Sequence, residues 1–282
     1  MHPGVHAEKN PDKLAYVMAR SGERVTYKEL DDRSNQLAQL LYDRGLRPGD
    51  AVAICMENNA RYLEACWAAQ RSGLYFTCVS SRLTTEEADY IVNDCGAKAY
   101  VTSYDKRDLA ASLLDRMPAV HTRLMCYGAI DGYEPYEDAV HAYPAQPLHE
   151  QLEGTDMLYS SGTTGRPKGV KTPLPLTPFG TPTGVSMLGE AIYGFTEDSI
   201  YLSPAPQYHA APLRFTMAMQ RIGGTSVIME HFDPEEFLQL VERWKVTHTQ
   251  VVPTMFVRML KLPEEVRTRY DEERLNAALL QL

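Results

Sequence analysis

The sequence predicts an α/β protein in which layered parallel and mixed sheets are flanked by helices. Three observations favour this class: short apolar runs recur, helical segments separate them, and glycine follows several of these helices. Strands separated by helices in this way form parallel sheets with right-handed crossovers. Such sheets bind ligands at the carboxyl ends of their strands, so functional residues are expected at those positions.

The elements of the first half follow each other closely. A helical pattern over 26–45 keeps its leucines on one face and ends at Gly45. Thr84 and Glu87 fit a capping box at the start of another helix. The predicted elements are helix 26–45, strand 51–55, helix 58–73, strand 75–79, helix 84–96, strand 97–103, helix 109–114 and strand 122–127.

A polar segment, 128–151, divides the sequence. It contains Pro135, Pro144 and Pro147 and has neither helical nor strand periodicity, which predicts a surface connection. We therefore expect an N-terminal α/β subdomain at 1–127 and a second α/β subdomain at 152–282. The elements predicted beyond the connection are strand 156–160, strand 198–204, a helix after Pro212, strand 225–229, helix 234–244, strand 247–252 and helix 253–260.

Composition excludes several classes of protein. The formal net charge of -9 argues against a nucleic-acid partner. The five cysteines form no C-x-x-C pair and have no histidine at metal-ligand spacing, so we expect reduced thiols and no metal ligands. Without a secretory signal, and without a run of about 18 apolar residues, the chain is expected to be cytoplasmic and to have no membrane span.

The segment "YSSGTTGRPKGVK", 159–171, combines the groups that hold phosphate. Glycines allow a close backbone approach, hydroxyls bond phosphate oxygens, and cations such as Arg166 balance charge. The candidate phosphate-binding residues are Ser160, Ser161, Gly162, Thr163, Thr164, Gly165 and Lys168. A flexible surface loop is the alternative interpretation of such a composition.

A P-loop of kinase or GTPase type fits this segment poorly. Counting from Gly162, Pro167 stands where the second glycine is required. The residue after Lys168 is Gly169, whereas the P-loop needs a hydroxyl for magnesium there. The order of residues therefore disfavours that class.

The segment "YSSGTTGRPKGV" closely resembles the phosphate-binding signature of the adenylate-forming superfamily, and it is most similar to the CoA-ligase branch. Other stretches also resemble this family: "ERVTYKELDDRSNQLAQLL", "GLRPGDAVAI", "PAPQYHAAP" and "THTQVVPTMFVRML". The resemblance extends from about residue 6 to about residue 270. It implies the N-terminal part of the large domain of an adenylate-forming enzyme.

The resemblance also implies roles for single residues. Lys168 would neutralise phosphate charge while a carboxylate attacks the α-phosphorus, which makes it a catalytic candidate together with His209. His209 would lie beside the substrate carboxylate and gate the pantetheine tunnel; a structural histidine is the alternative. Tyr208 would pack beside it, and Met255 and Phe256 are candidates for the acyl pocket, with simple core packing as the alternative.

The implied activity is ATP-dependent formation of an acyl-adenylate followed by transfer to CoA, with a fatty or aryl acid as substrate. ATP, Mg²⁺ and CoA are the implied cofactors, and the implied partner is a second copy or a complementing C-terminal chain. The family's Y-x-x-T-E block and C-terminal lysine have no counterpart in this sequence, so we expect the first half of a synthetase that is not active alone. The alternative hypothesis is a noncatalytic remnant that binds a nucleotide or partner weakly.

Overall fold

The computed structural model describes residues 1–160 and 166–279, and its contacts divide the chain into two units. The central unit is Glu29–Thr181, and the flanking unit combines Met1–Lys28 with the chain from Pro182 onward. These boundaries differ from those predicted at 127/128 and 151/152. Their physical cause is strand pairing between segments that are distant in sequence, as described below.

The described strands are short and distributed along most of the chain. They are β1 (Leu14–Met18), β2 (Arg24–Thr26), β3 (Ala51–Cys55), β4 (Tyr75–Cys78), β5 (Ala97–Ser103), β6 (Thr122–Cys126), β7 (Glu134–Pro135), β8 (Thr155–Asp156), β9 (Leu158–Ser160), β10 (Lys168–Val170), β11 (Ile200–Ser203), β12 (Thr225–Ile228) and β13 (His248–Thr249).

Helices separate most of these strands. They are α1 (Pro3–Lys9), α2 (Tyr27–Asp43), α3 (Arg61–Arg71), α4 (Thr85–Asp94), α5 (Arg107–Leu113), α6 (Tyr136–His141), α7 (Gly184–Ala191), α8 (Ala210–Ile222), α9 (Pro234–Arg243), α10 (Pro253–Leu260), α11 (Glu264–Arg267) and α12 (Glu272–Ala278).

The central unit contains a six-stranded sheet in the order β7-β6-β5-β3-β4-β8, and all of its strand pairs are parallel. All five residues of β3 are buried, as expected for an inner strand covered on both faces. The pairing of β8 with β4 places the start of the predicted second subdomain in this unit. The segment 128–151 is not a plain connection, because it supplies β7 and α6 to this unit.

The flanking unit contains a mixed five-stranded sheet in the order β13-β11-β12-β1-β2. Strand β1 pairs in parallel with β12, and β2 closes the edge of the sheet in antiparallel direction. The N-terminal segment therefore belongs with residues more than 200 positions later in the chain, at register Val17 to Val227. Tyr27 adds to this link, since its hydroxyl donates to the carbonyl of Gly224 at 2.6 Å.

All five cysteines are buried, and none forms a disulfide. Among the described residues, no helix combines the length and apolar character that crossing a membrane requires.

Candidate functional site

The predicted phosphate segment is held by a short β-hairpin of the central unit. Strand β9 pairs in antiparallel direction with β10, and the register places Ser160 opposite Lys168 and Tyr159 opposite Gly169. The sequence predicted a strand before the loop, but it did not predict β10. Ser161, Gly162, Thr163, Thr164 and Gly165 lie outside the described residues, so their assignment stays a prediction.

The two described candidates, Ser160 and Lys168, face each other where the hairpin opens into the loop. Both are exposed, and the Ser160 hydroxyl donates to the backbone carbonyl of Lys168 at 3.5 Å. Within the described part of the chain, Lys168 has no ion-pair partner. This geometry leaves the ammonium group of Lys168 available to an anion.

Gly169 is required by a close approach within the hairpin. A Cβ atom at this position would lie 2.8 Å from Cζ of Tyr159 and 2.8 Å from Cε of Met157. Cε of Met157 can move away, because it ends a flexible side chain. The Tyr159 ring is held in place, because its hydroxyl donates to Oδ2 of Asp94 at 2.5 Å.

We expect Gly169→Ala to destabilise the hairpin, because the added methyl group displaces the Tyr159 ring. Overpacking of this kind costs about 1–3 kcal/mol, and urea unfolding measures it as a lower transition midpoint. Gly184→Ala is the matched control, since a Cβ at Gly184 meets no atom within 4 Å. An unchanged midpoint for Gly169→Ala would show that the Tyr159 ring can move aside without a loss of stability.

His209 lies in the flanking unit, in the connection between β11 and α8. It occupies the N-cap position of α8 and is exposed, with its ring centroid 4.6 Å from that of Tyr208. In the same connection, the buried Gln207 amide donates to the hydroxyl of Ser203 at 2.8 Å. Because β11 is a parallel strand that ends at Ser203, His209 lies beyond its carboxyl end. Sheets of this class bind ligands at that end of their strands. Its catalytic role remains a prediction.

The two acyl-pocket candidates differ in burial. Met255 is 8% exposed and belongs to the buried side of α10, whereas Phe256 is 39% exposed. Phe256 lines a groove of about 230 Å³ together with Leu238, Met259 and Tyr270. Met255 is therefore buried and Phe256 is partly exposed, and the acyl-pocket role of both stays a prediction.

Tyr159 and Asp94 support the hairpin, and neither is among the site residues predicted from the sequence. Burial and the hydrogen bond to Asp94 raise the pKa of Tyr159 above its usual value, so the phenol remains a proton donor at neutral pH. No local pattern could indicate this contact, because the two residues lie on different elements. The sequence shows only that Tyr159 opens the phosphate segment, not that it contacts Asp94.

Comparison with known proteins identifies the family to which this chain is similar. The family model described as AMP-binding enzyme matches residues 5–281. A feruloyl-CoA synthase from Amycolatopsis sp is 32% identical over 253 residues, which cover 86% of this chain and 46% of that protein. The chain thus spans about half the length of the curated relatives it matches.

Solved structures match most of this chain. ATP-bound MatB from Rhodopseudomonas palustris has a TM-score of 0.74 at 26% identity, covering 95% of this chain and 53% of that one. The N-terminal domain of FACL13 from Mycobacterium tuberculosis has a TM-score of 0.78 at 23% identity, covering 95% and 66% respectively. These likenesses confirm the predicted fold class of sheets flanked by helices.

Proposed function

Because the chain belongs to the AMP-binding enzyme family, we propose that it forms the phosphate-binding part of an ATP-dependent acid–CoA ligase. One observation carries this proposal: the exposed Lys168 and Ser160 pair across the hairpin at the mouth of a loop rich in glycine and hydroxyl groups. A cation and hydroxyls next to such a loop suit the charge and oxygen atoms of a triphosphate. The ATP-bound structure of MatB supports ATP as this ligand.

The proposed reaction begins when the carboxylate of an acid attacks the α-phosphorus of ATP. The bond from this phosphorus to the bridging oxygen breaks, pyrophosphate leaves, and an acyl-adenylate remains. Lys168 stabilises the negative charge that shifts onto the leaving phosphates, and Ser160 donates a hydrogen bond to them. The thiolate of CoA then attacks the acyl carbon, which forms the thioester and releases AMP.

No residue of the described part of the chain is assigned to Mg²⁺. In these parts of the chain, no group of three or more His, Cys, Asp or Glu side chains could hold a metal ion. We therefore assign no step to Mg²⁺, which would accompany ATP as its counterion.

An aryl acid is the proposed substrate class. Support comes from the feruloyl-CoA synthase, which shares 32% identity with this chain. A fatty acid is the alternative substrate that the resemblance implied. The exposed His209, placed after a strand end in the flanking unit, is proposed to bind the carboxylate or the adenylate.

The test is exchange of labelled pyrophosphate into ATP by the 282-residue chain together with a complementing C-terminal chain, because the 282 residues alone are expected to be inactive. We expect exchange to require a carboxylic acid and to be faster with ferulate than with palmitate. His209→Ala should lower this exchange about tenfold or more while leaving Mg·ATP binding unchanged, because the imidazole contacts the acid. An equal exchange rate in the variant would return His209 to a structural role.

The same experiment separates the proposal from the noncatalytic hypothesis. Acid-dependent exchange would support the ligase. Saturable Mg·ATP binding without exchange in the complemented mixture would favour the noncatalytic hypothesis, in which the chain binds the nucleotide only. The absence of both would overturn the proposed phosphate site.

A further inference from the structure

Helix α4 lies beside the phosphate-binding hairpin and contacts it at two points. At one point Asp94 accepts the hydrogen bond from the Tyr159 hydroxyl at 2.5 Å. At the other point Cζ of Arg166 lies 5.1 Å from the centroid of the Tyr90 ring, within the range of a cation–π contact. Tyr90 and Asp94 are four positions apart, so they share one face of α4.

The contact at Asp94 reaches the second strand of the hairpin through Tyr159. This tyrosine stands opposite Gly169 in the register, and its ring leaves no space for a side chain there. A shift of the Tyr159 ring would therefore move β10, which begins at Lys168. Asp94 thus acts on the position of Lys168 without contacting it.

The contact at Tyr90 concerns Arg166, the cation that precedes Lys168 in the segment. Arg166 packs over Tyr90, and Lys171 packs over the ring of Tyr75 at 4.8 Å. Lys168 is the hairpin cation for which the described residues supply neither an aromatic nor an acidic partner. Arg166 and Lys171 therefore each lie over an aromatic ring, whereas Lys168 faces solvent.

We propose that Asp94 and Tyr90 are positioning residues, which hold the hairpin so that Lys168 meets the phosphates. This inference rests on the proposed function for its ligand, but the contacts that carry it do not depend on the ligand. It also changes the sequence-based interpretation of Arg166, which anchors the loop to α4 instead of binding phosphate.

The first experiment measures Mg·ATP binding by calorimetry in Tyr159→Phe, Asp94→Ala and the double variant. Each single change removes the same hydrogen bond and should raise the dissociation constant about fivefold. The double variant should be no weaker than either single variant, and adenosine binding should not change. Additive losses of affinity in the double variant would show that Tyr159 and Asp94 do not act through their shared hydrogen bond, which would overturn the proposal.

Two further variants act as matched controls for this binding experiment. Asp94→Asn keeps an oxygen acceptor for Tyr159, so it should restore most of the affinity lost in Asp94→Ala. Asp89→Ala removes a carboxylate from the same helix, but Asp89 bonds Asn93 and not the hairpin. If Asp89→Ala lost as much Mg·ATP affinity as Asp94→Ala, the cause would be a general weakening of α4, which would contradict the positioning role of Asp94.

Arg166→Ala and Tyr90→Leu test the second contact. If Arg166 anchors the loop through Tyr90, both variants should raise the dissociation constant for Mg·ATP by a similar factor of about two to three, and their combination should add nothing. A loss in Arg166→Ala about tenfold larger than in Tyr90→Leu would mean that Arg166 binds phosphate directly, which contradicts its assignment as an anchor.

Hydrogen exchange without nucleotide separates this inference from the proposed function. The amides of 168–170 should exchange several-fold faster in Tyr159→Phe and Asp94→Ala than in the unchanged chain or in Asp89→Ala. Unchanged exchange would overturn the positioning role, whatever the binding data show. Faster exchange in a chain that binds no Mg·ATP would support the role of α4 in holding the hairpin and overturn the proposed phosphate site.

Discussion

Lys168→Ala is expected to weaken Mg·ATP binding about 30-fold or more and to leave adenosine binding unchanged. Charge-assisted hydrogen bonds to phosphate contribute about 2–3 kcal/mol, which corresponds to this factor. The exposed position of Lys168 opposite Ser160 makes the variant informative, because no described ion pair is lost with the lysine. Calorimetric titration of the chain with each ligand measures both effects.

Lys171→Ala is the matched control for Lys168→Ala. It removes the same charge from the same hairpin, but the Lys171 ammonium lies 4.8 Å from the Tyr75 ring centroid. We expect at most a twofold change in this control, since the Lys171 ammonium lies over the Tyr75 ring and an exposed charge that makes no phosphate contact is largely screened at physiological salt. Equal losses in both variants would assign the binding to net charge and not to a contact of Lys168. Equal losses for ATP and adenosine would remove the phosphate assignment.

Local signals explain which parts of the fold were predictable. The glycines that end the predicted helices, Gly45, Gly73 and Gly96, have positive φ angles of 91°, 67° and 69°. Thr84 and Glu87 form the predicted capping box at the start of α4. Because caps and helix ends depend on neighbouring residues, their patterns appear in the sequence. The bounds of β3 also agree with the prediction, because its run of apolar residues is a local pattern too.

Contacts between distant residues explain what was missed. Strand β10 has three residues and is defined by its pairing with β9, so it has no periodicity of its own. The pairing of β1 with β12 joins segments more than 200 residues apart, and this changes the division of the chain. The hydrogen bond between Tyr159 and Asp94 spans 65 residues. A motif can therefore indicate the phosphate loop, while the helix that supports it becomes visible only in the structure.

The largest expected effect on stability comes from Glu64, a fully buried carboxylate at the start of α3. Its Oε1 atom accepts hydrogen bonds from Arg33 at 3.1 Å and from Arg61 at 2.8 Å, and the Tyr136 hydroxyl donates to Oε2 at 3.2 Å. Glu64→Gln keeps the size of the side chain but leaves two guanidinium groups without their shared anion. We expect the free energy of unfolding to fall by about 3 kcal/mol or more.

Glu29→Gln provides the comparison, because Glu29 pairs with the same Arg33 at 3.2 Å but its side chain is 42% exposed. Exposed pairs of this kind contribute about 0.5 kcal/mol, so the two variants differ chiefly in burial. Urea unfolding in a Trp244→Phe background lets the buried Trp67 report on the central unit alone, since the chain has two tryptophans. Similar midpoints for both variants would mean that water reaches Glu64 and screens its pairs. A deficit confined to Glu64→Gln would show that burial makes this carboxylate necessary to the unit that carries the hairpin.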